Sequence, residues 1–442
     1  MVTAARYDVA VIGAGPAGAT AALVLARGGA SVALVDKAAF PRDKACGDLI
    51  GPRGVRVLDQ LGIAPVGRRV GDMEVVGPTG HRVTLRASAG LTYPGFGVAV
   101  PRRRFDADLR QAAIEAGAEG ITGRAGRPRF ETSGRLAGFS LDRANTAGIE
   151  IEADVIIGAD GALSRVGVAA GLVDEGRVLW GFAVRGYLPG PPALPQIVFW
   201  EPAPRAGYPG YGWLFPGIDD EANIGLGVGF RGERRAGARA ARDLASFVSV
   251  LRPTAGPPQR RLGGWLKMGM VGTNPARGRT LLVGDAAGLV NSLQGEGISQ
   301  ALGSGRAAGE AILAAGPDHA AARYRRELAA RYAPYASTTA PVTALMLSRP
   351  RAVAVLGRVL TAPAFAKLVA GAWPVYWNDL LDGARPGAGR RLATVADLLT
   401  RLGTGCLADH RSIWASLDGP PAGWPLRSGR GRAIPARGPG SP

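Results

Sequence analysis

Cysteine is almost missing from this chain of 442 residues: Cys46 and Cys406 are the two it has. Two thiols so far apart build no disulfide framework, which points to a reducing, cytoplasmic setting. Histidine is as scarce. His81, His319 and His410 stand far apart with no cysteine partners at ligand spacing, so no metal centre is expected and a histidine base is disfavoured. Each reads as an ordinary surface or loop residue. No apolar run reaches the length needed to cross a bilayer, and no charged-then-apolar leader precedes the first strand. Internal repeats are lacking too.

Acidic residues are outnumbered, 35 against 53 Lys and Arg, for a formal charge of +18. The arginines are scattered and no recognition motif accompanies them, so nucleic acid is not an expected partner. A basic surface suits anionic lipid headgroups, phosphorylated substrates or an acidic redox partner. Glycine (67) and proline (33) are plentiful and imply many tight turns. Arg427, Arg430, Arg432 and Arg437 lie in a Gly/Pro-rich tail, 419–442, that is expected to stay disordered. The length exceeds what single cores usually reach, so two domains with appendages are expected.

Three separated stretches are each suited to one flavin dinucleotide. Val9 to Ile12 reads as a buried strand, after which Gly13, Gly15 and Gly18 open a helix running through Ala21 to Ala26. Gly13 permits the tight turn, Gly15 lets backbone approach a pyrophosphate, and Gly18 allows helix to pack on strand. The helix N-terminus offers unpaired N–H groups and a favourable dipole. Val32 to Val35 forms a second strand ending at Asp36, where an acid can bond ribose hydroxyls. The second stretch runs from Val155 to Ile157 into a turn at Gly158, Asp160 and Gly161. Asp160 either fixes that turn or bonds a cofactor hydroxyl, and Arg165 can neutralise phosphate. In the third, Leu281 to Gly284 is expected as a strand delivering Asp285 to the ribityl chain, and Gly295 and Gly297 start a helix aimed at the pyrimidine edge of the flavin. That helix dipole would favour the anionic reduced ring, although Glu296 and its glycines also suit a plain loop and cap.

The periodicity gives an interleaved α/β chain. Residues 1–72, 101–176 and 272–316 read as a split, Rossmann-like FAD-binding domain with a parallel sheet. Residues 73–100 and 177–271 read as an inserted, antiparallel β-rich substrate domain with a helical stretch near Arg239–Leu251, while Phe105–Ala116 reads as a helix of the FAD-binding part. Residues 317–418 read as a helical region. There Trp373, Tyr376 and Trp377 beside Arg349, Arg351, Arg358 and Lys367 suit either an interfacial helix on anionic lipid or amphipathic helices covering the substrate domain.

With these motifs, FPRDKACGD at Phe40 to Asp48, Arg102 ahead of Phe105 and Asp106, and the Asp160-Gly161 and Gly284-Asp285 turns make the chain resemble the geranylgeranyl reductase family. That family lies within the p-hydroxybenzoate-hydroxylase-like flavoproteins. The likeness implies the fold above, FAD as cofactor, and a cofactor site drawn from Gly13, Gly15, Ala17, Gly18, Asp36, Lys37, Arg42, Cys46, Gly47, Arg102, Asp160, Gly161, Gly284, Asp285, Gly295, Gly297 and Ile298. It places the Cys46-Gly47 loop near the flavin. Tyr211-Gly212-Trp213-Leu214-Phe215-Pro216 matches the family's Y-x-W-x-F-P signature, which implies that Tyr211, Trp213, Phe215 and Pro216 line a cavity for a prenyl chain. The family's proline three residues before that tyrosine is here Tyr208, with Pro209 one place late. The implied reaction is hydride transfer from reduced flavin to an isoprenoid double bond, with NAD(P)H or a ferredoxin-like donor as electron source. Cys46 or Tyr211 is the candidate proton relay, with a bound water as the other option. Peripheral membrane contact would suit such a substrate. An FAD monooxygenase or dehydrogenase of a hydrophobic metabolite is the alternative, since it shares every cofactor motif.

Overall fold

The computed structural model describes residues 4–142, 149–202, 208–231 and 237–371, together with positions 387, 391 and 394. Trp373, Tyr376, Trp377, Cys406, His410 and the tail 419–442 lie outside the described residues.

The first sheet is organised around the strand Ala4–Ile12. Its neighbours, in order, are Ala276–Arg277, Thr280–Leu282, Ile149–Gly158, Ala4–Ile12 itself, Val32–Asp36 and Glu119–Thr122. All adjacent pairs are parallel except the first, which is a short antiparallel one. Arg124–Phe130 and Leu136–Asp142 extend it as an antiparallel hairpin beside Ile149–Gly158. The central strands are apolar on both faces because both are covered, and all five residues of Val32–Asp36 are buried. Helix Pro16–Arg27 packs against the long helix Ile298–Leu347, where a side chain at Gly305 would collide with the Ala17 carbonyl. That long helix bends at Gly316 (φ 70°), just ahead of Pro317, whose missing N–H suits the first turn of the second half.

The second sheet has seven strands, in the order Gln259–Met268, Leu179–Pro189, Glu221–Arg231, Gly210–Pro216, Gln196–Val198, Met73–Val76 and Arg82–Leu85. Only Gln196–Val198 against Met73–Val76 is parallel. Alternation gives it two working faces. Leu214, Ile224, Leu226 and Val228 pack with Leu244 and Phe247 of helix Gly237–Leu251. On the other face, Val75, Ile197 and Trp213 form a cluster with Tyr211 and Phe215, closed at one side by Leu360, Ala366 and Val369 of helices Pro350–Thr361 and Pro363–Ala370.

The α/β class and the separate antiparallel sheet agree with the sequence reading, with differences in detail. Helix Arg102–Glu115 starts three residues before the expected Phe105, and Gly237–Leu251 two before Arg239. Gly97–Ala99 leaves the seven-stranded sheet and pairs with Leu49–Ile50 and Arg68–Val70 in a small third sheet. The strand expected to run to Gly284 stops at Leu282. Gly284 (φ 56°) turns the chain into a 3-10 helix, Gly284–Ala287, which carries Asp285.

Candidate functional site

The glycine loop sits at the carboxyl end of the central strand. Gly13 has φ 109°, and a Cβ there would lie 2.3 Å from the Ala159 carbonyl oxygen; one on Gly18 would lie 1.8 Å from that of Gly13. Gly15 differs: a Cβ there would meet only the Arg42 guanidinium, at 3.6 Å. The loop therefore needs no side chain at two positions for its own packing, and at the third keeps an open approach to backbone N–H groups at a helix start, as a pyrophosphate requires. Asp36 is buried and accepts from the Ala14 N–H (2.9 Å) and the Ala38 N–H (3.0 Å). Arg42 bridges two acids, 3.6 Å from Asp36 and 3.0 Å from Asp106. Lys37 is exposed beside them, and Ala17 is buried.

Two candidates have other commitments. Asp160 accepts from the Ser164 hydroxyl and from the N–H groups of Arg165 (2.6 Å) and Val166 (3.2 Å), so it fixes the turn, while Gly161 (φ 81°) completes the bend. Burial pushes its carboxyl up, against the pull of those bonds. Arg165 points to the Ala125 carbonyl, at 2.8 Å. Arg102 is buried and holds Asp106 through two bonds, at 2.6 and 2.7 Å, and its charge is felt at Cys46. Burial works against that cation, but Asp106 and Cys46 outweigh it and hold Arg102 above its ordinary value.

The aromatic strand joins the two loops expected around the flavin ring. Phe215 packs on Gly47, where a Cβ would lie 3.0 Å from the ring, and Trp213 stacks beside Phe215 with centroids 6.3 Å apart. At the other end the Tyr211 hydroxyl donates to the Gln294 carbonyl and lies close over Gly295. Gly297 caps helix Ile298–Leu347, the Glu296 carboxylate accepts from the Ser299 N–H (2.8 Å), and Ile298 is buried. Glu296 thus caps the helix end, and the glycines on either side leave the loop's backbone open. Asp285 lies next to Gly297, with Lys44 3.9 Å away. Pro216 is buried at the end of the aromatic strand.

Four buried polar residues were given no role by the sequence reading, although Asp48 closes the FPRDKACGD motif. Asp48, two places after Cys46, accepts from the Tyr187 hydroxyl, from Asn223 Nδ2 (2.9 Å) and from the Arg102 N–H (3.3 Å). Asn223 also donates to the Cys46 carbonyl (2.8 Å) and accepts from the Trp213 indole (2.8 Å). Arg185, wholly buried, donates to Asp43 (2.6 Å) and to the Lys44 carbonyl (3.1 Å), anchoring the Cys46 loop to the second sheet. Lys267, 1% exposed, donates to the Ala286 carbonyl (3.1 Å) under the Asp285 turn; burial pushes its ammonium down to about 8, with Asp160 and Asp285 pulling the other way. Asp48 follows directly on the Cys-Gly pair, the only signal in the sequence that could have singled it out. Asn223, Arg185 and Lys267 are single polar residues in apolar strands, a pattern open to notice but silent about partners.

A family model described as an FAD binding domain matches residues 6–196. Menaquinone reductase of Mycolicibacterium smegmatis is 36% identical over 365 residues, covering 80% of this chain and 88% of that protein. Digeranylgeranylglycerophospholipid reductase 1 of Methanopyrus kandleri is 33% identical over 321 residues, covering 70% and 81%. Among solved structures, a geranylgeranyl bacteriochlorophyll reductase-like protein of Thermoplasma acidophilum superposes with a TM-score of 0.68 over 92% of this chain and 100% of that one, at 21% identity, which speaks to fold.

Proposed function

The chain belongs to the family of FAD-dependent oxidoreductases that includes the menaquinone and geranylgeranyl reductases, and from that premise we propose that it saturates carbon–carbon double bonds in the isoprenoid chain of a quinone or lipid. The observation that carries this reading is the apolar, aromatic face of Tyr211, Trp213 and Phe215, seated on Gly47 at one end and against Gly295 at the other. An isolated alkene offers no polar handle and little electrophilicity, so its placement must supply much of the rate, and flat aromatic walls do that.

In this reading Gly13, Gly15, Ala17, Gly18, Asp36, Lys37 and Arg42 hold the adenosine and pyrophosphate half of FAD, with Arg102 and the Asp160-Gly161 turn behind them. Gly284, Asp285, Gly295, Gly297 and Ile298 hold the ribityl chain and ring edge, Cys46 and Gly47 approach the ring, and Pro216 ends the hydrocarbon wall. Bound FAD supplies a hydride once reduced by NAD(P)H or a ferredoxin-like donor. The chain's own part is to exclude water, to orient the alkene and to place a proton at the second carbon. Cys46 is the better donor, because the Tyr211 proton is engaged by the Gln294 carbonyl. The discontinuous domain division, 1–72, 101–176 and 272–316 against 73–100 and 177–271, follows from the same assignment.

Peripheral contact with anionic lipid fits the substrate. No single helix among the described residues is long and apolar enough to cross a membrane. Val355, Val359, Phe365 and Leu368 are nevertheless exposed on helices Pro350–Thr361 and Pro363–Ala370, next to exposed Arg349, Arg351 and Lys367.

The test is anaerobic incubation of the FAD-loaded protein with a polyunsaturated prenylated quinone and NADPH or reduced ferredoxin, followed by mass spectrometry. The product is expected to gain the mass of H2 for each bond reduced. Incorporation of label from 18O2, with no anaerobic product, would establish oxygenation and overturn the proposal.

A further inference from the structure

Asp48 is the least expected charge in this site. It is 4% exposed, sits in left-handed backbone (φ 61°), and belongs to the loop that carries Cys46. Its carboxylate collects a hydroxyl, an amide and a backbone N–H from three elements: Tyr187 on strand Leu179–Pro189, Asn223 on strand Glu221–Arg231, and Arg102 at the start of helix Arg102–Glu115. Through Asn223 the same network reaches the Trp213 indole and the Cys46 carbonyl. The half-buried Cys46 thiol lies within the electrostatic reach of the Arg102 guanidinium and of Asp48. A thiol beside a guanidinium cation ordinarily ionises with ease.

We propose that Asp48 is a positioning residue that ties the Cys46 loop to the substrate wall and keeps Cys46 a neutral thiol, able to give its proton to the alkene carbon that does not receive hydride. The inference rests on the reductase reading. In the step it serves, a C–H bond forms from the flavin hydride, a second forms from the Cys46 proton, and the thiolate left behind is reprotonated from solvent. Arg102 pulls the thiol towards ionisation. The Asp48 carboxylate opposes it, and so does burial, which is the larger influence. The other charges around this loop have their own partners: Arg102 shares Asp106 with Arg42, which also meets Asp36, Arg185 is joined to Asp43, and Lys44 to Asp285. Tyr187 sits under the Arg185 and Arg260 guanidiniums, 4.7 and 4.0 Å from its ring. Asp48 is thus the acid that offsets Arg102 at the sulfur.

The experiment is the pH profile of Cys46 alkylation by iodoacetamide in FAD-loaded protein without substrate, in a Cys406→Ser background, read by peptide mass spectrometry. Asp48→Asn is expected to lower the midpoint by about one pH unit. Asp48→Glu, which keeps the charge, is expected to leave it close to the wild-type value. An unchanged midpoint in Asp48→Asn would overturn the proposal. Should Asp48→Asn not fold, the wild-type midpoint decides: one below the ordinary thiol range would overturn the proposal. Cys46→Ala is measured separately for alkene reduction: full activity there would remove Cys46 as the donor without touching the alkylation result, so the two failures are distinguishable.

Discussion

Replacing Lys267 by methionine keeps length and apolar bulk and removes one charge from a site that is 1% exposed. Burial lowers this ammonium from 10.5 to about 8. Below about pH 8 both folded and unfolded chains carry the proton and the folded state bears the full desolvation penalty. Between the two values the unfolded chain binds more protons than the folded one, so stability from this group rises with pH. From about pH 7.5 to about pH 9.5 the gain is about 2 kcal/mol. Lys267→Met lacks it. The measurement is urea unfolding of FAD-loaded wild type and variant by circular dichroism across that interval, taking the difference so that other lysines and tyrosines cancel. The wild type should gain on the variant by that amount, with the variant the more stable of the two nearest neutral pH if the Ala286 bond is worth less than the penalty. A difference that stays flat with pH would refute the claim that burial outweighs the nearby acids at Lys267.

Gly18→Ala should abolish flavin retention, because its methyl would fall 1.8 Å from the Gly13 oxygen; absorbance near the flavin maximum against protein after gel filtration checks it. Tyr211→Phe should weaken the seat of the Gln294 loop by about 1 kcal/mol and leave turnover largely intact. Loss of kcat with KM unchanged would make its hydroxyl the proton donor after all. Arg185→Met should cost about 2 kcal/mol by freeing Asp43 and the Lys44 carbonyl, and should make the 40–48 segment the first to be cut in limited proteolysis. Charge reversal of Arg349, Arg351 and Lys367 to glutamate should reduce co-sedimentation with phosphatidylglycerol vesicles at low salt while leaving bound flavin unchanged.

The cofactor loop was legible in the sequence because its determinants are local. Gly13, Gly15, Gly18 and Asp36 act within one strand, turn, helix and strand unit, so spacing alone announces them. The aromatic strand was legible from alternation and from the family signature. Asp48, Arg185, Asn223 and Lys267 were not, because each gains its meaning from a partner supplied by tertiary pairing: Asp48 meets Tyr187 across 139 positions and Asn223 across 175. Asp160 shows the converse difficulty. A strand-ending Asp-Gly suits a turn or a ligand equally, and the three donors gathered on its carboxylate come from residues that spacing does not single out. Gly284 hid a shorter strand in the same way, since a glycine in an apolar run does not declare the sign of its φ.

The aromatic strand touches Gly47 with Phe215 and the Gln294-Gly295 backbone with Tyr211, so the proposed hydrocarbon wall and the proposed seat of the ring are bolted into one frame. Trimming those aromatics to admit a bulkier isoprenoid would therefore not be a private change to specificity: it would loosen the mounting of the chromophore, and the protein's visible spectrum should drift with every alteration of its substrate range.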